Sequence, residues 1–230
     1  MKKHLFLIAL VAASATTAAA QTIGSLPDKS PFLDTSDKQR FGIIAGWLFT
    51  GSDAVGVQQK SAPAIGARYD LSVGGPAYLT ASFFTSRSTR AVFDYTRPAA
   101  SRNTGTQSTG LINANVGLAL SLTGERSWHR IQPLFNLGAG IVGGLGDKAD
   151  VSGYQIRPAF SFYTGFGVRF VTGKNSEFRA DVGAYFWSLK YPDLYRSTQG
   201  DPIAIKPTGS LDSFTANGLL TLGWTLRSFR

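Results

Sequence analysis

Two short segments place an arginine and an aspartate two residues apart among apolar residues. Arg68 and Asp70 do so in GARYDLSV, and Arg179 and Asp181 do so in FRADVGA. Alternate residues of a β-strand face opposite sides, so each segment would have one apolar face and one face with opposite charges. Buried charges need partners. The pattern therefore indicates ion pairing between these segments wherever the charged face is enclosed.

The sequence GAGIVG, residues 138–143, matches the dinucleotide-binding pattern G-x-G-x-x-G by letter. That motif requires a helix directly afterwards, because the helix N-terminus holds the pyrophosphate. The sequence GLGDKADVSG follows instead, and its composition is typical of a loop. We therefore interpret the glycines as small residues on a crowded interior face.

Residues suited to metal binding or catalysis are few. His129 is the only histidine after residue 20, it lies in a short polar turn, and the chain has no cysteine, so transition metals lack ligands. Four loop aspartates are candidate calcium ligands, but they lack EF-hand spacing. These are Asp147, Asp150, Asp193 and Asp201. We expect no catalytic residue, no metal and no cofactor.

A cluster of arginines in residues 87–108 indicates a different chemistry. Four arginines stand there against a single acid, Asp94. They are Arg87, Arg90, Arg97 and Arg102. Guanidinium groups bind phosphate bidentately, so an external loop of this kind would contact the phosphates of an outer leaflet. A solvated charged loop is the alternative.

The elements that position these residues are strands. Eight segments alternate apolar and polar residues, and no stretch shows a sustained helical period, which predicts an all-β fold. The segments are 41–50, 64–73, 77–86, 109–122, 131–142, 157–171, 177–190 and 213–229.

The connections between these segments alternate in length. Residues 74–76, 123–130 and 172–176 are short and turn-like, whereas 51–63, 87–108, 143–156 and 191–212 are longer and polar. A meandering sheet would carry all the short turns at one end and all the long loops at the other. Bacterial outer-membrane barrels show this asymmetry.

The polar face of the segments decides between a soluble barrel and a membrane barrel. A face in water should be rich in Lys and Glu, but this face carries small and amide side chains, among them Asn113, Asn115, Gln132 and Asn136. Such residues suit the narrow interior of an eight-stranded barrel. The opposite face is apolar, as contact with lipid requires. Closing the barrel gives the backbone N–H and C=O groups of every strand hydrogen-bond partners within the hydrocarbon layer. We predict an eight-stranded antiparallel up-and-down transmembrane β-barrel with the charged face inside.

The charges then form one interior layer, because each lies within a few residues of a short turn. Arg169 would face Arg179 across the 172–176 turn. Two facing arginines need acid nearby, which Asp181 and, from across the lumen, Asp70 would supply. The predicted lumen network is Arg68, Asp70, Arg169, Arg179 and Asp181.

The N-terminal residues predict export. Residues 1–20 contain two lysines, an apolar run and a small-residue cleavage site, the layout of a signal peptide. Cleavage would lower the formal charge of +9 by two, and the scattered basic residues favour a membrane surface over nucleic acid. Residues 21–40 form a polar leader, and residues 41–230 form the barrel domain.

In its strand count, loop asymmetry and interior charges, the chain resembles the small outer-membrane barrels typified by the transmembrane domain of outer membrane protein A and by the opacity-type barrels. The resemblance covers residues 41–230. The C-terminal TLGWTLRSFR supplies the family's glycine and spaced apolar residues, with Phe229 followed by Arg230 as a departure. The resemblance implies recognition by the barrel-assembly machinery. We expect a monomer in the cell outer membrane, in contact with its lipid and with lipopolysaccharide.

Three functions fit this barrel. In the first, the charges plug the lumen and the protein has a structural or surface-interaction role. In the second, the barrel is a narrow passive pore for small solutes in which the charged layer selects or gates. The third, a secreted soluble ligand-binding barrel, requires solubility without detergent. None of the three is an enzyme.

Overall fold

The structure is a computed structural model, and it describes residues 30–35, 37–173, 175–196, 205–206 and 209–228. The predicted signal peptide, the first part of the leader, Asp201, Phe229 and Arg230 lie outside these ranges. The strands are β1 (Phe32–Asp34), β2 (Gln39–Phe49), β3 (Ala62–Gly74), β4 (Ala77–Phe93), β5 (Asn103–Ser121), β6 (Arg126–Trp128), β7 (Ile131–Leu145), β8 (Ala159–Val171), β9 (Ser176–Lys190) and β10 (Asp212–Ser228).

Eight of the strands form a closed antiparallel barrel. β2, β3, β4, β5, β7, β8, β9 and β10 pair in this order, and β10 returns to pair with β2. The predicted eight-stranded up-and-down β-barrel is therefore confirmed. The described residues add two single 3₁₀ turns, Ala99–Ser101 and Asp193–Tyr195, and contain no helix that is long and apolar enough to cross a membrane.

The outer wall of the barrel is apolar. Every barrel strand carries large, exposed hydrophobic side chains on its outward face, as in Ile65, Val116, Phe166 and Leu222, which are 64%, 58%, 60% and 67% exposed. On β4 this wall extends from Ala77 to Arg87. At about 3.4 Å per residue and a tilt of about 40°, that segment spans about 26 Å along the barrel axis. The wall therefore matches the height of a hydrocarbon layer.

Two strands are much longer than the sequence predicts. β4 continues to Phe93 and β5 begins at Asn103, so much of the predicted loop 87–108 is a paired hairpin. Beyond the apolar wall both faces of this hairpin carry polar residues. Hydrophobic alternation therefore stops although the ladder continues, and a prediction based on alternation ends the strands too early.

The interior is polar toward the short turns and aromatic toward the long loops. The aromatic part includes Phe84 and Tyr185, whose rings meet edge-on with centroids 5.3 Å apart, and Tyr163, stacked on Tyr185 at 5.1 Å. Glycine makes room for these rings: a Cβ at Gly138 would lie 2.6 Å from the ring of Tyr163. Residues 138–143 all lie within β7. Gly140 lies opposite the buried Asn115, on the predicted interior face, whereas Gly143 lies opposite the outward-facing Ile112.

The described part of the leader folds against the short-turn end of the barrel. β1 pairs with β6, with Phe32 opposite Trp128. Thr35 is buried, and both its backbone N–H and its hydroxyl donate to the carbonyl of Glu125 at 2.8 Å. β2 begins directly afterwards, at Gln39. This N-terminal strap, residues 32–35 and 37–38, therefore covers the mouth of the barrel.

Candidate functional site

The charged side chains of β3, β8 and β9 meet in one layer of the lumen near the short turns. The layer contains all five residues of the predicted network, and none is more than 8% exposed. They are Arg68, Asp70, Arg169, Arg179 and Asp181. Inward-facing positions supply all of them, from the neighbouring strands β8 and β9 and from β3 across the lumen, because the period of two holds on each strand.

Asp70 is the acid that joins β3 to the opposite wall. Its Oδ2 accepts from Arg169 Nη2 at 2.6 Å and from Arg179 Nη1 at 2.8 Å. Its Oδ1 accepts from the hydroxyl of Thr80 at 2.6 Å. Both oxygens of this buried carboxylate are therefore satisfied, and the two arginines share one negative charge.

Asp181 neutralises the other side of the same layer. Its carboxylate accepts from Arg179 Nε at 2.8 Å and from Arg68 Nη1 at 3.2 Å. Asn136 joins both partners: its Nδ2 donates to Asp181 at 3.1 Å, and its Oδ1 accepts from Arg179 Nη2 at 2.8 Å. Gly167 lies opposite Asp181, where a Cβ would come within 2.2 Å of the carboxylate. Any larger residue at position 167 would displace the carboxylate from its place in the network.

The layer extends to two charged residues outside the predicted network. Glu177 lies between Arg40 Nε, at 3.6 Å, and Arg169 Nε, at 3.4 Å. The signal for Glu177 was its spacing, since 177, 179 and 181 share one face of β9. Arg40 is the last residue of the predicted leader, outside the predicted barrel, so the alternation within the barrel strands did not indicate that it faces inward.

Tyr78 lies between two of these arginines. The guanidinium carbons of Arg40 and Arg169 lie 4.7 Å and 4.6 Å from the centre of its ring. Arg40 also donates to the backbone carbonyl of Thr35 at 2.6 Å. Cation–π contacts of this kind hold a planar guanidinium in place. The charged layer and the N-terminal strap are therefore one connected structure.

Little space remains between the charged layer and the aromatic part of the lumen. A cavity of about 10 Å³ lies there, lined by Arg68, Ser82, Tyr163, Asp181 and Tyr185 among others. This volume is at the lower limit for one water molecule. The charged groups thus face one another instead of an open passage, and the arrangement suits a fixed plug rather than binding or proton transfer.

Four tyrosines close the end of the barrel that carries the long loops. Tyr195 packs against Tyr95, Tyr191 and Tyr154, with ring centroids 4.2, 5.7 and 6.0 Å away. Tyr191 donates to Asp53 at 2.9 Å. Burial raises the pKa of Tyr154, Tyr191 and Tyr195 well above its usual value, because the charged form would lose its hydration. We call these four residues the tyrosine cap.

The structure separates the four arginines that were predicted as phosphate contacts. Arg90 is fully buried: it donates to Asp150 at 2.7 Å and stacks over Tyr154 at 4.9 Å. Arg102 is 7% exposed and stacks over Tyr95 at 4.5 Å. Neither can reach a phosphate, since each is enclosed by the loops that it holds together. Arg87 and Arg97 remain exposed.

The remaining candidate residues have structural partners. Asp147 and Asp150 accept from loop N–H groups and pair with Arg90, and Asp193 pairs with Arg196. His129 lies in the turn between β6 and β7, where it and Arg130 both have positive φ, 47° and 67°. Across the described ranges, no group of three or more His, Cys, Asp or Glu residues is placed to hold a metal ion.

Comparison with known proteins relates the chain to solved structures alone. No protein-family profile and no curated protein matches the sequence. The outer membrane protein OprG from Pseudomonas aeruginosa is similar with a TM-score of 0.52 at 10% identity, over 84% of this chain and 98% of that chain. Neisserial surface protein A is similar with a TM-score of 0.49 at 11% identity, over 86% and 98%. The OprG likeness shows the fold, that of a small outer-membrane β-barrel.

Proposed function

We propose that this protein is an integral outer-membrane barrel with a closed lumen and a structural or surface-interaction role. The closure of the lumen at three levels carries the proposal. The N-terminal strap covers one mouth, the arginine–carboxylate layer fills the lumen behind it, and the tyrosine cap covers the other mouth. Conduction needs a continuous hydrated path. The protein's contacts with other molecules then occur on its outer wall and external loops.

The apolar outer wall supports the placement in a bilayer. A closed barrel leaves no strand edge unpaired, which is the condition for strands in hydrocarbon. Exposed side chains such as Phe160, Ile141 and Leu222 would aggregate in water. Short turns then face the periplasm and long loops face outward.

Several properties belong to the same proposal. The barrel acts as a monomer, its surroundings are outer-membrane lipid and lipopolysaccharide, and the barrel-assembly machinery inserts it. It binds no nucleic acid, and it is not an enzyme. Support comes from the partners of its buried polar groups: the arginines and acids of the lumen bind one another, which leaves them no role toward a substrate.

The narrow-pore alternative makes a different use of the same layer. If the strap and cap opened together, the arginine–carboxylate layer would be the narrowest point and would select among ions. The aromatic part of the lumen argues against this, because Phe84, Tyr163 and Tyr185 line the cavity of only about 10 Å³ next to the charges. An opening would have to displace both mouths and these rings.

Single-channel recording in a planar bilayer tests the proposal. We expect the refolded mature protein to be silent and an Asp70→Ala, Asp181→Ala variant to leak, because unpaired arginines would disrupt the plug. Asp193→Ala, at an exposed loop acid, is the control and should stay silent. Steady conductance of the unaltered protein that changes with the double substitution would instead make it a pore. Solubility without detergent would contradict both membrane functions.

A further inference from the structure

One cation interrupts the apolar outer wall at the edge nearest the long loops. Arg87 faces outward from β4 and is exposed. Its backbone lies opposite Gly110 on β5, and Gly110 lies opposite Leu145 on β7. Within the described ranges the guanidinium has no hydrogen bond or ion pair. Arg87 is therefore a charged group without a protein partner at the boundary of the hydrocarbon layer.

An apolar groove begins at the side of Arg87. The groove has a volume of about 570 Å³ on the outer wall, with Arg87 among its lining residues. Its other main lining residues are Ala45, Gly46, Pro63, Ile65, Thr85 and Leu145. Small residues on β2 and β3 form the floor, and Ile65 and Leu145 project beside it. Alanine and glycine add little bulk to the floor, which leaves the groove open to a hydrocarbon chain.

From these features we propose that the groove binds a phosphorylated lipid of the outer leaflet. The lipid phosphate pairs with the guanidinium of Arg87, and one acyl chain lies along the groove toward Ala45 and Ile65. The charge favours an anionic headgroup, and guanidinium geometry matches phosphate oxygens. The inference rests on the proposed membrane placement, and it names the lipid class and the residues that recognise it.

The other arginines of this region do not fit the role. Arg97 is exposed, but its Nε donates to Asp94 at 2.9 Å. Hydrogen bonds from Thr96 hold the pKa of Asp94 below its usual value, so the acid stays ionised and retains Arg97. Arg97 is therefore the matched control: an exposed arginine on the same hairpin, outside the groove, with its charge already paired.

Native mass spectrometry of the protein in neutral detergent tests the proposal. The probes are dioleoyl phosphatidic acid and dioleoylglycerol, which have the same chains with and without phosphate. We expect Arg87→Ala to weaken binding of phosphatidic acid by about tenfold and to leave dioleoylglycerol unaffected, because one charge-assisted contact is lost. Ala45→Phe, which fills the groove from outside, should weaken both lipids. Arg97→Ala should match the unaltered protein.

Three outcomes would overturn the proposal. If Arg87→Ala binds phosphatidic acid as strongly as the unaltered protein does, Arg87 does not contact the phosphate. If Arg97→Ala loses as much phosphatidic acid binding as Arg87→Ala, the lipid is attracted by the overall positive charge of the region and not by a site at Arg87. Displacement by inorganic phosphate would indicate a bare anion site without a groove for the chain. Folding into neutral phosphatidylcholine vesicles is measured in parallel: failure of the unaltered protein there contradicts the membrane placement, whereas normal folding with unselective binding contradicts the lipid site alone.

Discussion

Arg169 and Arg179 face each other directly across the β8–β9 hairpin, in register and on the inward face. One oxygen of Asp70, from the far side of the lumen, lies between them, 2.6 Å from the first and 2.8 Å from the second. Two like charges opposite each other destabilise a sheet unless an acid is present. The hairpin therefore depends on a carboxylate that is distant in the sequence.

Replacing this carboxylate should be strongly destabilising. Asp70→Asn removes the charge between Arg169 and Arg179 and leaves them only Glu177 and Asp181 as acids. Breaking a buried pair costs about 3–5 kcal/mol. Urea unfolding in phosphatidylcholine vesicles measures the loss. Asp193→Asn is the control, because Asp193 is 89% exposed and pairs at the surface. An Asp70→Asn protein as stable as the control would contradict the role of Asp70.

Glycine should be required at position 138 for steric reasons. In Gly138→Ala the new Cβ would meet both the ring of Tyr163 and the backbone carbonyl of Val116 at 2.6 Å, and overpacking of this kind costs about 1–3 kcal/mol. Gly218→Ala is the matched control on β10, where the nearest atom would be 3.6 Å away. The same unfolding measurement compares them. Adding Tyr163→Leu should recover part of the loss; if it does not, the contact with Tyr163 is not the cause.

The tyrosine cap should loosen at alkaline pH. Burial raises the pKa of Tyr154, Tyr191 and Tyr195 in the folded cap, so the open cap loses protons first. Its stability is complete below the usual tyrosine pKa of about 10 and declines as the pH rises above that value. Limited proteolysis of the loops between pH 8 and 11 detects the opening. Tyr195→Phe keeps the ring and removes one ionising group, so cleavage should begin at higher pH; identical profiles would argue against tyrosine ionisation.

The N-terminal strap should open without unfolding the barrel. Thr35→Val keeps the size of the side chain but removes the hydroxyl bond to Glu125, a local loss of about 1 kcal/mol. Hydrogen exchange of residues 32–40 should become faster, while β8 and β9 remain protected. Thr106→Val, at an exposed position of β5, is the control. Faster exchange throughout the barrel would show that the strap is part of the cooperative fold.

The strands could be predicted from the sequence wherever their inner and outer faces differ in hydrophobicity. Inside the apolar wall, the alternation identifies eight strands and the face of each, and it places Arg169 opposite Arg179. Beyond the apolar wall the two faces no longer differ in this way. The alternation of apolar and polar residues therefore does not reveal that β4 extends to Phe93 or that β5 begins at Asn103. Arg90 and Arg102 lie near that boundary, and their charge suggested solvent although both are buried.

The sequence by itself determined which residues face inward, because the period of a strand is two and only one face of this wall is apolar. The tertiary structure decided which inward residues meet. Asp70 reaches Arg179, 109 positions away, because barrel closure brings β3 across the lumen from β9. The tyrosine cap and the N-terminal strap are likewise contacts between distant segments. The alternation of residues determines which way each side chain points within one strand. Closure of the barrel determines the distances between side chains on different strands, and the sealing of the lumen depends on those distances.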